Sequence, residues 1–164
     1  MREDIASVVG ACSECLRFNV VQEGFHPMTP IIATQPMQHT QADLICGVPG
    51  SSEGHTYILV YMCLASRFTW LFALKDRKAD TIAECIIAIH LQFGNAKVLQ
   101  TDNGKEFKNR ILQKIAKINQ IDFRNISSYH SQGNGAVERR NRDVSIVLKK
   151  ICSNNFLRWN ELLP

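Results

Sequence analysis

Residues 57–74 are apolar apart from Ser66, Arg67 and Thr69. The break at Ser66-Arg67 leaves no run long enough to span a bilayer. Tyr57–Leu64 is nearly continuous, as a strand buried on both faces should be. Phe68–Leu74 reads as a second strand, joined to the first through Ala65-Ser66-Arg67. A hairpin this apolar must be covered on both sides, and the rest of the chain supplies the cover.

Upstream, Met37–Ile45 alternates loosely and reads as a first strand, with a turn-like stretch from Val48 to Gly54. Downstream, a helix capped by Asp80 or Thr81 carries Ile82, Cys85, Ile86, Ile89 and Phe93 on one face, and Gly94-Asn95 stops it. Lys97–Thr101 is a short fourth strand. Glu106–Ile118 repeats Ile111, Leu112, Ile115 and Ile118 at helical spacing. Ile121–Ile126 is a fifth strand, and Ser127–Gly135 a polar loop. Ala136–Cys152 is a third helix with Val137, Val144, Val147, Leu148 and Ile151 facing inward. Another helix starts at Phe156. The order β-β-β-α-β-α-β-α predicts an α/β fold: an antiparallel meander extended by parallel strands, a mixed sheet flanked by helices.

The 164 residues suffice for one domain with a real core. The N-terminus shows no signal-peptide pattern, so the chain reads as intracellular, with no membrane partner. Most of the six cysteines sit in apolar runs and read as buried thiols rather than disulfides. Residues 1–24 are a helical or irregular lead-in. Residues 25–37, with Pro27, Pro30 and Pro36, are an extended linker.

Charge is unevenly spread. Residues 1–96 hold 6 Lys/Arg against 9 Asp/Glu, a balance of −3, whereas residues 97–164 hold 13 against 6, a balance of +7. A basic half suits a polyanion partner. It equally suits a solvated basic helix surface, and charge alone does not choose.

Three acids stand at strand or helix ends. Asp43 lies in the first strand, Asp102 directly follows the fourth, and Glu138 opens the third helix. Carboxylates brought together repel and raise one another's pKa unless a cation intervenes. An all-oxygen set suits Mg²⁺ or Mn²⁺. Two such ions about 3.5–4 Å apart activate an attacking oxygen and stabilise a leaving one in phosphoryl transfer. Spacing alone also fits acids that merely cap helices.

The segments LQTDNGKEF (99–107) and SSYHSQGNGAVERRNR (127–142) closely resemble the integrase catalytic core of retroviruses and gypsy-type LTR retrotransposons. In that pattern an acid in a strand is followed by a DNGxEF-type motif and a YHPQxNGxxER-type motif. The family's separation between second and third acids is met by the 35 residues 103–137. The resemblance covers roughly residues 12–164. It implies a ribonuclease-H-like fold with a five-stranded mixed sheet, and two Mg²⁺ or Mn²⁺ ions. The implied activity is 3′-end processing and strand transfer of element DNA into target DNA, performed in the nucleus by a homo-oligomer. It assigns Asp43, Asp102 and Glu138 as the catalytic, metal-binding acids. Asn103 and Gly104 match the turn after the second acid. Tyr129, Gln132 and Asn134 match the loop that touches DNA ends, and Asn141 and Arg142 the DNA-facing side of the catalytic helix. Glu138, Asn141, Arg142 and Ser145 share one helical face at i, i+3, i+4 and i+7. Tyr129 also reads as a half-buried core aromatic. Glu106 reads as a solvated or capping residue, His130 as structural, and Trp70 and Trp159 as core.

Some positions depart from the pattern. Cys12 and Cys15 resemble half of the family's N-terminal zinc site, but no histidine precedes them, so residues 1–24 read as a remnant and zinc is not expected. Ser131 stands where the family has proline, and Leu64-Ala65 where it often has a polar residue. The core, taken as residues 38–164, ends at Trp159–Pro164, where the family continues into further helix and a DNA-binding domain. Both flanks read as cut. An alternative function is a non-catalytic DNA-binding or domesticated relic.

Overall fold

The computed structural model describes residues 31–125, 135–152 and 156–163, together with Val8, Ala11 and Cys12. The chain divides into compact units Met1–Pro30 and Ile31–Pro164, and all the elements below belong to the second.

The strands are β1 (His39–Ile45), β2 (Tyr57–Cys63), β3 (Thr69–Leu74), β4 (Val98–Thr101) and β5 (Asp122–Asn125). The helices are α1 (Ala79–Phe93), α2 (Arg110–Ile118) and α3 (Gly135–Cys152), followed by a 3-10 segment, Phe156–Leu162. The sheet order is β3-β2-β1-β4-β5. β1 pairs antiparallel with β2, and β2 with β3, while β4 is parallel to both β1 and β5. This is the five-stranded mixed sheet of a ribonuclease-H-like fold.

The apolar run of β2 is explained by cover on both faces. Leu59 and Tyr61 point into a core formed with Ile82, Ile86 and Ile89 of α1 and Leu112 and Ala116 of α2. Ile58, Val60 and Met62 point the other way, against Val137, Val144 and Leu148 of α3 and Trp159. Trp159 is fully buried, and its indole Nε1 donates to the Pro49 carbonyl at 2.7 Å. Trp70, expected in the core, is half-buried: it packs against the core edge-on to Tyr61 and also meets Phe68 and Phe93.

Local chemistry moves some boundaries. Neither Asp80 nor Thr81 caps α1. Its N-cap is Lys78, which makes no capping side-chain bond, while the Asp76 carboxylate accepts from the Lys78 amide and the Thr81 hydroxyl, both at 3.1 Å. The second helix starts at Arg110 rather than Glu106, because the Asn109 side chain accepts from the Leu112 amide at 2.8 Å and sets the start there. In α3, Val147 and Ile151 are half-exposed, and Cys152 joins Val137, Val144 and Leu148 inside. The buried stripe is narrower than a count of apolar residues suggests. Among the described residues, no helix is long and apolar enough to cross a membrane.

Candidate functional site

The site forms where β1, β4 and α3 meet. In the parallel pairing of β1 and β4, Ala42 stands opposite Thr101. The next residues, Asp43 and Asp102, therefore lie side by side at the same end of two adjacent strands. Thr101 ties this end to β5, its hydroxyl donating to the Asn125 side chain at 2.8 Å.

Asp43 lies on the sheet face that α3 covers. Its two oxygens are both held: Oδ1 accepts from the Leu44 amide at 2.9 Å, and Oδ2 from the Asn141 side-chain amide of α3 at 2.7 Å. Burial pushes its carboxyl up to about 6, and the negative charges of Asp102 and Glu138 push the same way. Both other acids are therefore close enough to act on Asp43 through space. Glu138 itself stands exposed in the first turn of α3.

Asp102 is half-buried, and its Oδ1 accepts from the Gly104 amide at 2.9 Å, fixing the turn that follows β4. Asn103 is half-buried in that turn. A Cβ placed on Gly104 would lie 2.9 Å from Asp102 Oδ1, 2.8 Å from Glu106 Cδ and 2.9 Å from Glu106 Oε2. Glycine keeps that space open. Glu106 is thus partly solvated but does not cap α2. It is half-buried beside Asp102, and Asn109 does the capping. The acid at that position was visible in the sequence, but its fold-back over the glycine is a product of the turn.

Asn141 is brought to Asp43, and Ser145 donates back to the Asn141 carbonyl at 2.8 Å. Arg142 is exposed on the same helix. Arg140, unremarked in the sequence, spans from α3 to the β2–β3 turn and donates to the Arg67 carbonyl at 3.5 Å. Tyr129, Gln132 and Asn134, and also His130 and Cys15, lie outside the described residues. Cys12 is half-buried.

Divalent ions suit this donor chemistry, which is oxygen without nitrogen or sulfur. A cation would relieve the cost of ionising Asp43, and the Asn141 Oδ1 atom is buried with no partner. Among the described residues, no three His, Cys, Asp or Glu side chains close around one point. The Asp43 carboxylate instead accepts from the Asn141 amide, and the Asp102 and Glu106 carboxylates stand on either side of the space above Gly104.

The sequence profile described as "Integrase core domain" matches residues 33–131. The chain is 31% identical over 166 residues to the Pro-Pol polyprotein of feline foamy virus, covering 99% of this chain and 14% of the polyprotein. It is 28% identical over 167 residues to the Pro-Pol polyprotein of simian foamy virus type 3 (strain LK3), again 14% of that protein's length. Against the Pol polyprotein of radiation murine leukemia virus (strain Kaplan) it is 30% identical over 159 residues, 27% of that protein. The chain thus spans a small fraction of these relatives. Its fold is similar to a chain in a cryo-electron microscopy structure of a simian T-cell lymphotropic virus intasome in complex with the PP2A regulatory subunit B56 gamma. The TM-score is 0.68 at 17% identity, covering 94% of this chain and 55% of that one.

Proposed function

Because the chain belongs to the integrase core domain family, we propose that it is the catalytic core of a metal-dependent polynucleotidyl transferase. Its reactions are 3′-end processing of retroelement DNA and strand transfer into target DNA. The observation that carries this reading is Asp43. It is a carboxyl buried on the central strand, raised to about 6, and acted on by the charges of two further acids. An acid held at that cost suits a site that takes up cations.

Asp43, Asp102 and Glu138 would hold Mg²⁺ or Mn²⁺. Divalent ions supply Lewis-acid stabilisation of the attacking and leaving oxygens in phosphoryl transfer. The chain's own contribution is placement. The Leu44 amide and Asn141 fix the rotamer of Asp43, and the Gly104 amide fixes that of Asp102. Asn141 therefore acts on the site by orienting Asp43. Arg139 and Arg142, on the same helix as Glu138, and Lys105 and Lys108, which follow Asp102 in the chain, are exposed and suited to DNA phosphates. Asn103, Tyr129, Gln132 and Asn134 complete the proposed DNA contacts. DNA ends and target DNA are the partners, and the nucleus is the place of action. The reading includes a homo-oligomer, supported by apolar surface at Phe68, Leu91 and Phe93. It takes residues 1–24 as the remnant of a zinc-binding domain, with Cys12 and Cys15 half of a tetrahedral set.

A second reading, a non-catalytic DNA-binding relic, is favoured by the lack of a three-acid cluster around one point among the described residues. Incubation of the chain with Mn²⁺ and a branched DNA that mimics the strand-transfer product separates the two. Wild type should resolve the branch, while Asp102→Asn and Glu138→Gln should not. Equal rates for wild type and Glu138→Gln would sink the catalytic reading, and DNA binding without turnover would establish the relic.

A further inference from the structure

A cavity of about 200 Å³ lies between the end of β1, the loop that follows it, α3 and the 3-10 segment. Its walls are apolar, formed by Ile45, Val48, Leu148, Phe156 and Trp159. Two bonds fix its shape. The Trp159 indole donates to the Pro49 carbonyl and the Ser52 amide to the Leu157 carbonyl, both at 2.7 Å. The loop is thereby tied to the 3-10 segment, and the space between them is pre-formed, as ligand sites usually are. A cavity of about 150 Å³ holds benzene, so this one has room for one or two fused rings. Phe156 and Trp159 offer aromatic surfaces to a flat ring.

Polar side chains in the lining are few, and two are already engaged. The Ser145 hydroxyl donates to the Asn141 carbonyl at 2.8 Å, and the Cys46 thiol reaches the Leu44 carbonyl at 3.9 Å. Lys149 differs. It is exposed and also lines the cavity, so its stem follows the wall and its ammonium stands at the mouth. No ion pair among the described residues includes it. A ring entering the cavity displaces water to which the apolar walls offer no hydrogen bonds. An anionic substituent on that ring meets the ammonium. A nucleobase fits less well, because its ring donors and acceptors would be left unpaired against these walls.

We propose that this cavity is a binding site for a planar, hydrocarbon-like aromatic carboxylate, with its ring against Leu148, Phe156 and Trp159 and its carboxylate at Lys149. The site does not depend on the metal-dependent reading above.

Titration of the whole chain with 2-naphthoate, followed by NMR of the two tryptophan indole N–H signals, tests it. The Trp159 signal should shift and saturate at millimolar ligand while the Trp70 signal stays in place. Lys149→Ala, a change at an exposed position, should weaken binding about 10-fold, and Lys149→Arg should retain it. Uncharged 2-naphthylmethanol should bind wild type as weakly as naphthoate binds Lys149→Ala. Thymidine 5′-monophosphate should leave Trp159 unshifted. If naphthoate does not move the Trp159 signal, or if Lys149→Ala binds it like wild type, the proposal falls. Binding of the nucleotide as tightly as naphthoate would overturn the assigned ligand class.

Discussion

Replacing Asp43 by Asn should change how stability responds to pH. In the folded chain the carboxyl is pushed to about 6, chiefly by burial and further by Asp102 and Glu138, from an ordinary value of 3.8. A raised folded-state value means that the folded chain binds the extra proton. The contribution is therefore fully present below pH 3.8 and is lost as pH rises through 6. The gap corresponds to roughly 3 kcal/mol, and partial solvent access brings it to about 2 kcal/mol. Asn at this position cannot accept at both ends, because the Leu44 amide and the Asn141 amide each donate to one oxygen. That mismatch costs about 1 kcal/mol at every pH and does not alter the slope. Urea denaturation of both proteins in chelator, at pH 4 to 7, reads the difference directly. It should move by about 2 kcal/mol in favour of the variant as pH rises. A flat difference across that window would refute the reasoning. Added Mn²⁺ should stabilise wild type more than Asp43→Asn, and most at the upper end of the range.

His90 is buried, bonds to the Tyr61 hydroxyl at 2.8 Å, and is held down to about 4 by burial. Because its folded value is depressed, its contribution is present above pH 6.5 and is lost as pH falls through 4, by about 3 kcal/mol in all. Imidazole NMR should show it neutral at pH 5.5, and titration near 6.5 would contradict this. Trp159→Ala empties a fully buried site and removes the bond to Pro49; calorimetry should find a loss of about 3–5 kcal/mol. Asn109→Ala should cost about 1 kcal/mol in chemical denaturation through loss of the α2 cap. Asn141→Ala leaves one oxygen of Asp43 without its donor and should lower Mn²⁺ affinity about 10-fold, while circular dichroism stays unchanged.

The five strands and three helices were legible because each carries its own periodicity. The continuous apolar run of Tyr57–Cys63 demanded cover on both faces, and it has it. The motif after β4 and the one leading into α3 marked Asp102 and Glu138 through their resemblance to the family's motifs, not through spacing alone, and that resemblance needs no third dimension. Asp43 was placed mainly by strand order and by its distance upstream. Only the parallel register of β1 with β4 sets it beside Asp102, and only the docking of α3 gives it Asn141. Helix starts were misread at α1, where Asp76 accepts from the Lys78 amide and the Thr81 hydroxyl, and at α2, where Asn109 caps, because capping depends on backbone geometry that periodicity does not carry. Glu106 shows the same limit at the site. Its presence four residues after Asp102 is a matter of sequence, but its position over Gly104 arises when the turn closes. Local pattern thus determined which residues could serve the chemistry. Non-local pairing and packing decided which of them meet, since contact between distant residues is a property of the folded sheet and not of any segment of it.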